Sequence, residues 1–106
     1  MYIILTSKHG QFRTEPVDGV RPVEAYDYLF YGSKRAEFVI AELARETKLR
    51  VIDTAGDAPI LNLVPTRFLE HFSTLEAARD ELGTLTRFGT LDARLVKRSD
   101  PQATQP

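Results

Sequence analysis

VEAYDYLFYGSKRAEFVIAEL, residues 23–43, is the stretch of sequence that decides the fold. Its first half holds three of the chain's four tyrosines, and aromatic residues in such a run favour a half-buried β-strand. Its second half, residues 36–43, is apolar on both faces of a strand. Between the halves, Gly32-Ser33-Lys34 has the composition of a short hairpin loop, because glycine tolerates a positive φ. The stretch predicts a long β-hairpin.

A helix over residues 34–47 is the alternative, since Ala, Glu and Arg all favour helices. Phe38-Val39-Ile40 speaks against it. Three bulky side chains in succession would wrap around a helix, whereas a strand places them on alternate faces. We favour the strand and leave the helix open at this point.

Length and composition exclude several classes of protein. A chain of 106 residues fits one domain, here residues 1–98, followed by a polar tail at 99–106 that we expect to be disordered. The absence of cysteine excludes disulfides, thiolate metal sites, iron–sulfur clusters and cysteine nucleophiles. A net charge of −1 gives no electrostatic attraction to nucleic acid or to anionic lipid.

The first residues, 1–5, lack the basic start of a signal peptide, and no later stretch is long and apolar enough for a membrane span. We therefore expect a cytoplasmic protein with neither a nucleic-acid nor a membrane partner.

Further strands are expected on both sides of the hairpin. Residues 2–7 are apolar on both faces and predict a strand inside a sheet, and 12–14 predict a short antiparallel return. Prolines and Asp18-Gly19 make 16–22 a loop. Residues 49–54 follow as a strand, which would make a meander of three consecutive strands with the hairpin.

After residues 60–64, an edge strand or packed loop, the hydrophobic period becomes helical. Pro65, Phe68, Leu69 and Phe72 recur at helical spacing and predict one short helix. Ser73-Thr74-Leu75-Glu76 has the form of a capping box, which predicts a second helix over 74–82 closed by Gly83. The inward side chains of that helix would be Leu75, Ala78 and Leu82.

Residues 91–98 alternate like a last strand. The predicted fold is therefore α+β: an antiparallel meander sheet of about five strands, covered on one face by the helical region at 65–82. A partly closed barrel is the alternative form of the sheet.

Residues that could carry chemistry are few. His9 and His71 are the only histidines, and their spacing does not favour a metal site over two ordinary surface histidines. The six glycines are dispersed singly, so no phosphate-binding loop is indicated. We expect no metal and no cofactor, and no catalytic residue can be named.

The aromatic strand is the better candidate for a binding site. Aromatic side chains with polar tips are common in ligand pockets and at protein interfaces. The candidate residues that contact a ligand or partner are Tyr26, Tyr28, Phe30, Tyr31 and His71. Arg13, Arg35 and Arg50 are either anion-binding groups beside this sheet or ordinary solvated strand residues.

Two classes of function fit these observations. The first is a non-catalytic accessory or protein-interaction domain, for example a small subunit beside a larger enzyme, and the lack of clustered acid–base residues favours it. The second is a small-molecule binding protein, or a cofactor-independent enzyme, with an aromatic-lined pocket on the sheet. A pocket of several hundred Å³ that holds a titratable group of shifted pKa would favour the second.

A homodimer, or association with a larger protein, is also expected. Residues 2–5 and 38–43 are apolar on both faces of the sheet, while the helices supply cover for one face only. The other face must close as a barrel or pack against a second chain, with the aromatic side chains of 26–31 at or near the contact.

Overall fold

An open antiparallel sheet and one α-helix make up the part of the chain that the structure describes. The computed structural model describes residues 1–86 and 93–99, and within these ranges the sheet has seven strands. The strands are β1 (Tyr2–Lys8), β2 (Phe12–Glu15), β3 (Val20–Phe30), β4 (Ser33–Leu43), β5 (Lys48–Asp53), β6 (Ile60–Pro65) and β7 (Ala93–Lys97). A 3₁₀ turn covers Thr66–Phe68 and the helix, α1, covers Leu75–Leu85. The α+β class is confirmed; the sheet has seven strands rather than about five.

The central hairpin is formed by β3 and β4, as predicted, and the helical alternative for 34–47 is excluded. Its turn lies slightly earlier than expected. Phe30 pairs with Ser33, so the loop is Tyr31-Gly32, and both residues have positive φ, 52° and 79°. Two such residues are what a tight primed turn requires, and its twist matches that of the strands.

The strand order is β6-β5-β2-β1-β4-β3-β7, so the predicted meander is wrong. The hairpin is followed in sequence by β5, yet β5 pairs with β2 and β6. The place beside β4 is taken by β1, with Ile3 opposite Ala41 and Leu5 opposite Val39. A strand that is apolar on both faces is best buried between neighbours, and β1 meets that condition.

The loop predicted at 16–22 is shorter, because β3 already begins at Val20. Pro22 lies inside β3, next to a register shift between Pro22 and Glu24. Within the described residues, strand β7 pairs with β3 from Tyr26 to Phe30. Pro22 is therefore on a part of β3 with no described outer neighbour, where its missing N–H breaks no ladder bond.

Each face of the sheet has its own core. On one face, Ile40 packs with Phe72, Ala78 and Leu82 under α1. On the other face, the buried cluster contains Ile3, Leu5, Val20, Ala41 and Leu49, and Val17 and Leu69 pack against it.

The chain itself covers the second face, without closing a barrel. Strands β1 and β2 share only the register pair Lys8 and Phe12 in the described ladder. Beyond it, Thr14 bonds to Ser7 Oγ and to the Thr6 carbonyl instead of continuing the ladder. The sheet curls there and brings Leu49 of β5 into the cluster of β1. The second apolar face therefore does not need a second chain to cover it, and the dimer itself stays a prediction.

The short helix predicted from Pro65 to Phe72 is only the 3₁₀ turn Thr66–Phe68. The helical spacing gave a wrong prediction because Phe68 does not share a buried face with Leu69 and Phe72. Its side chain points to solvent and is 70 % exposed. Phe72 instead exchanges backbone hydrogen bonds of 2.7 and 2.8 Å with Tyr2. The chain is therefore extended again, and His71 does not lie in a helix.

Helix α1 begins one residue later than the capping box predicts. Thr74 is the cap, and its Oγ1 accepts a hydrogen bond of 3.1 Å from the Ala77 N–H, while Ser73 is exposed outside the helix. The helix continues past Gly83 and ends where Thr86 Oγ1 donates to the Leu82 carbonyl at 2.7 Å. The inward stripe is confirmed, since Ala78 and Leu82 are fully buried and Leu75 packs beside them.

The last predicted strand, 91–98, is found as β7 at Ala93–Lys97. Residues 91–92 and the predicted tail from 100 onward lie outside the described residues. Within the described ranges, no helix combines the length and the apolar character needed to cross a membrane.

The cap assignment can be tested by two neighbouring substitutions. Thr74→Ala should lower the free energy of unfolding by about 1 kcal/mol, because the Ala77 N–H loses its acceptor. Ser73→Ala should change it by less than about 0.5 kcal/mol, as for an ordinary surface position. Urea unfolding followed by circular dichroism measures both. A larger loss for Ser73→Ala would move the cap back to the position predicted from the sequence.

Candidate functional site

A cavity of about 520 Å³ opens on the face of the sheet that carries α1, at the C-terminal end of that helix. Its lining residues come from three places: the β1–β2 turn, the facing strands β3 and β4, and the end of α1. They are Lys8, His9, Gln11, Tyr28, Ser33, Lys34, Arg35, Ala36, Phe38, Leu85 and Thr86. The volume is within the range of small-molecule sites.

The floor of the cavity is aromatic. The rings of Tyr28 and Phe38 meet edge to face, with centroids 6.3 Å apart. Tyr28 pairs across the strands with Ala36, whose side chain is a single methyl group. The space is left open because α1 ends at Leu85 and the small Ala36 does not fill it.

The rim of the cavity is cationic. Lys8 ends β1 and His9 follows it in the β1–β2 turn, while Lys34 and Arg35 lie near the start of β4. The His9 N–H donates to the Arg35 carbonyl at 3.2 Å, which holds the two segments together. Among the described lining residues there is no aspartate or glutamate. The rim therefore carries a local excess of positive charge.

The lysine and arginine side chains of the rim are not equivalent. Lys34 Nζ lies 3.2 Å from Asp27 Oδ1 and 3.1 Å from Glu37 Oε1, so its charge is already balanced. Arg98 joins this group through Glu37. The Asp27 oxygen is buried and lies outside hydrogen-bond geometry, so the lysine holds it by Coulomb attraction.

Lys8 and Arg35 have no carboxylate partner among the residues that the structure describes. The Arg35 guanidinium lies 5.9 Å from the centre of the Phe30 ring, which fixes its position without neutralising it. Arg13 and Arg50, by contrast, both bond to Glu15. The structure thus separates three arginines that the sequence left equivalent, and only Arg35 lines this cavity.

A second cavity, of about 420 Å³, adjoins the first around the tip of the β1–β2 hairpin. It shares Lys8, His9, Lys34 and Ala36 with the first cavity and adds Arg13 and the carboxylate of Glu37. The mixed charge of this second cavity makes the first the better anion site.

The aromatic residues singled out in the sequence are divided between different surroundings. Tyr28 lines the cavity, and Phe30 supports Arg35 at its rim. Tyr31 is exposed in the turn and packs edge to face on Phe30, with centroids 4.7 Å apart. Tyr26 and His71 lie in two other clusters. The sequence could not show that Tyr26 and Tyr28 have different neighbours. Alternate residues of one strand lie on the same face, and the pattern does not say which side chains pack against that face.

Tyr26 belongs to a cluster around the carboxylate of Glu24, which is only 6 % exposed. Glu24 accepts hydrogen bonds from Tyr26 at 2.7 Å, from Arg79 Nε at 3.0 Å and from Lys97 at 3.2 Å. The hydrogen bond from Arg79 is the main reason that the pKa of Glu24 falls to about 2, and burial opposes it. Burial, with the neighbouring Glu24 carboxylate, raises the pKa of Tyr26. The cluster ties β3, α1 and β7 together.

His71 bridges two acceptors away from the cavity. Its Nδ1 lies 2.8 Å from the Leu69 carbonyl and its Nε2 lies 3.0 Å from Glu46 Oε1. Both nitrogens can donate only in the imidazolium form, and the contact with Glu46 raises the pKa of His71. The same contact lowers the pKa of Glu46. Thr66 Oγ1 also lies 3.0 Å from that carboxylate, so the pair fastens the 3₁₀ turn to the β4–β5 loop.

His71 lies between the Leu69 carbonyl and Glu46, whereas His9 lines the cavity. Within the described ranges no three His, Asp or Glu side chains come together as metal donors. No protein-family model, curated protein or solved structure matches the chain.

Glu24 should make the fold sensitive to acid. Its lowered pKa means that its stabilising contacts are present above the ordinary glutamate pKa and are lost as the pH falls toward about 2. Glu24→Gln should therefore cost about 2 kcal/mol of unfolding free energy at pH 7, because charged hydrogen bonds become neutral ones. Chemical denaturation between pH 7 and low pH should show this difference shrinking.

Glu42→Gln is the matched control for that measurement. Glu42 pairs with Arg21 on the surface, where both partners are well exposed. Its substitution should leave the unfolding free energy almost unchanged. Equal effects of the two substitutions would show that burial of Glu24 adds nothing.

His71 should give a pH dependence of the opposite sign. A raised imidazole pKa means that the stabilisation is complete below the ordinary histidine value, about 6.5, and is lost as the pH rises through the folded value. Proton NMR of the two imidazoles can follow this. Glu46→Gln should lower the titration midpoint of His71 and leave the His9 resonance in place, and an unmoved His71 would show that Glu46 does not charge it.

Proposed function

We propose that this chain is a non-catalytic domain that binds a small anionic molecule with an aromatic or aliphatic body. The observation that carries the proposal is the 520 Å³ cavity, whose described lining combines an aromatic floor with a cationic rim and no carboxylate. Ligand sites typically pair mainly apolar walls with a few polar groups that fix orientation.

The ligand class follows from where the charges stand. Arg35 is held against Phe30 and can offer two parallel N–H donors to a carboxylate, sulfonate or phosphate. Lys8 adds a point charge on a flexible stem from the end of β1. The rings of Tyr28 and Phe38 leave an apolar surface for the rest of the molecule. A ligand with charge at one end and rings or methylenes at the other fits both parts.

The positions of the residues with shifted pKa values favour a binding role over a catalytic one. The pKa shifts of Glu24, Tyr26 and His71 arise from contacts within the protein, and none of these residues lines the cavity. The cavity thus meets the size and aromatic conditions set out above. On the sequence grounds already given, the proposal places the domain in the cytoplasm.

A protein-interaction domain, the other class that the sequence suggests, is favoured by a different feature. Strand β6 is an edge strand with no charged residue. The two roles use different surfaces and are compatible.

Two fluorescent probes of the same shape can test the site. Anilinonaphthalene sulfonate carries a negative charge, and phenyl-naphthylamine has the same rings without it. Arg35→Ala or Lys8→Ala should weaken binding of the sulfonate about tenfold, which corresponds to the loss of one charged contact. Binding of the neutral probe should change little. Leu85→Gln, at the apolar wall, should weaken both.

Matched controls are available in the same chain. Arg67 also lies over a phenylalanine ring, 5.2 Å from the centre of Phe68, and does not line the cavity. Arg67→Ala, and Lys48→Ala on β5, should leave sulfonate binding unchanged. Raising the salt concentration should weaken the sulfonate selectively, since screening acts on exposed charges. Equal loss in the control variants would refute the cavity as the anion site.

A further inference from the structure

Strand β6 is an edge of the sheet, since β5 is its single neighbour among the described strands. Residues 58–66 contain no charged side chain. Ile60, Leu61 and Leu63 are about half exposed, at 58, 48 and 56 %. An apolar edge without charges is a template for pairing with another chain, and proteins usually protect edges with charged residues.

The opposite edge is protected in that way. Strand β7 carries Arg94 and Lys97 within its five residues. The two edges of one sheet therefore differ in kind: β7 has the charges that oppose pairing and β6 has none.

The outward backbone groups of β6 can be identified from the ladder. The Thr66 N–H donates to the Thr47 carbonyl at 2.8 Å, so Thr66 points toward β5. Alternate residues of an antiparallel strand point the same way, and Ile60, Asn62 and Val64 therefore face β5. At the other end of β5, the Thr54 N–H donates to the Gln11 carbonyl, which gives the same phase. The N–H and C=O groups of Leu61 and Leu63 point away from the sheet.

Two prolines bound this free stretch. Pro59 and Pro65 also occupy outward positions, and neither has an N–H to donate. They lie at equal distances in sequence on either side of Asn62. A strand that pairs here can bond to Leu61 and Leu63 and no further.

We propose that two copies of this chain associate through β6, in an antiparallel, two-fold symmetric pair centred on Asn62. Leu61 of one copy lies opposite Leu63 of the other, and each residue exchanges its N–H and C=O bonds with its counterpart. The leucine side chains of both copies gather on one face, and Asn62 meets its own copy on the two-fold axis. The prolines face each other at the ends of the pair.

Charge complementarity identifies the occupant as a second copy. Asp57 precedes β6 and Arg67 follows it, each five residues from Asn62, so an antiparallel pair brings the acidic end of one copy toward the basic end of the other. On β5, Asp53 lies opposite Ile60 at the acidic end of β6, and Lys48 lies opposite Pro65 at the basic end. An antiparallel pair of identical strands therefore brings an acidic end against a basic end twice. The symmetry also closes the assembly, whereas pairing of β6 with β7 would continue from chain to chain.

This contact is independent of the proposed ligand site. None of the residues that line the 520 Å³ cavity lies on β6. It also differs from the contact first suggested at residues 26–31, because β3 is paired on both sides from Tyr26 to Phe30.

Disulfide trapping tests the register directly. The chain has no cysteine, so Asn62→Cys introduces a single thiol on the proposed axis. Non-hydrogen-bonded partners in an antiparallel pair have Cα atoms about 4.5 Å apart, within disulfide reach. With oxidised glutathione as the oxidant, Asn62→Cys should form a covalent dimer at least about tenfold faster than Val96→Cys, placed on β7 at similar exposure. Equal rates, or faster trapping of Val96→Cys, would overturn the proposal.

Sedimentation of the full chain tests the association without a crosslink. The unmodified chain should approach twice the chain mass between about 1 µM and about 1 mM, the range of weak complexes. Leu63→Lys, which sets like charges into the pair, and Leu61→Pro, which removes an outward N–H, should weaken it at least about tenfold, while Val96→Lys should not. Circular dichroism confirms that each variant is folded. A monomer throughout, or a dimer weakened only by Val96→Lys, would refute pairing through β6.

Discussion

The structure depends on one constraint: β1 and β4 lie side by side inside the sheet, and both are apolar on both faces. Ile3, Leu5 and Ala41 need cover on one side, and Ile40 needs cover on the other. A small antiparallel sheet usually has one wet face. In this chain both faces are covered. Helix α1 packs over one face, and the curled β5, together with Val17 and Leu69, packs over the other. The departure of β2 from β1 after one register pair makes that curl possible.

The position of the cavity follows from the unequal lengths of these elements. A helix of 11 residues spans about 16 Å, whereas an 11-residue strand such as β4 spans about 36 Å. Helix α1 cannot cover the whole of β4, and Arg79, near the middle of the helix, holds it to Glu24 of β3. The uncovered part is the end of the sheet where the two hairpin turns lie. The cavity is therefore a product of the length mismatch, and turn residues supply its rim.

The sequence could predict what depends on near neighbours along the chain. The central hairpin, the inward stripe of α1 and the alternation of β1 are all local patterns, and the structure confirms them. The cap was displaced by one residue because Ser73 and Thr74 offer the same hydroxyl. The predicted strand order was wrong because β1 and β4 pair as the two strands that are apolar on both faces. Nearness in sequence to the hairpin did not decide which strand lies beside β4. Lys8 and Arg35 are brought to the same cavity by the pairing of β1 with β4, so no local sequence motif could predict the site.

The near-zero net charge of the chain concealed an uneven distribution. Most basic side chains are matched with acids in the fold: Arg13 and Arg50 with Glu15, Arg79 and Lys97 with Glu24, and Lys34 and Arg98 with Glu37. What is left after this matching decides where an anion is attracted. Among the described residues, Lys48 and Arg67 are left over as well as Lys8 and Arg35. Of these four, Lys8 and Arg35 line the same cavity. Composition counts charges before they pair, and a binding site is made by those that the fold does not neutralise.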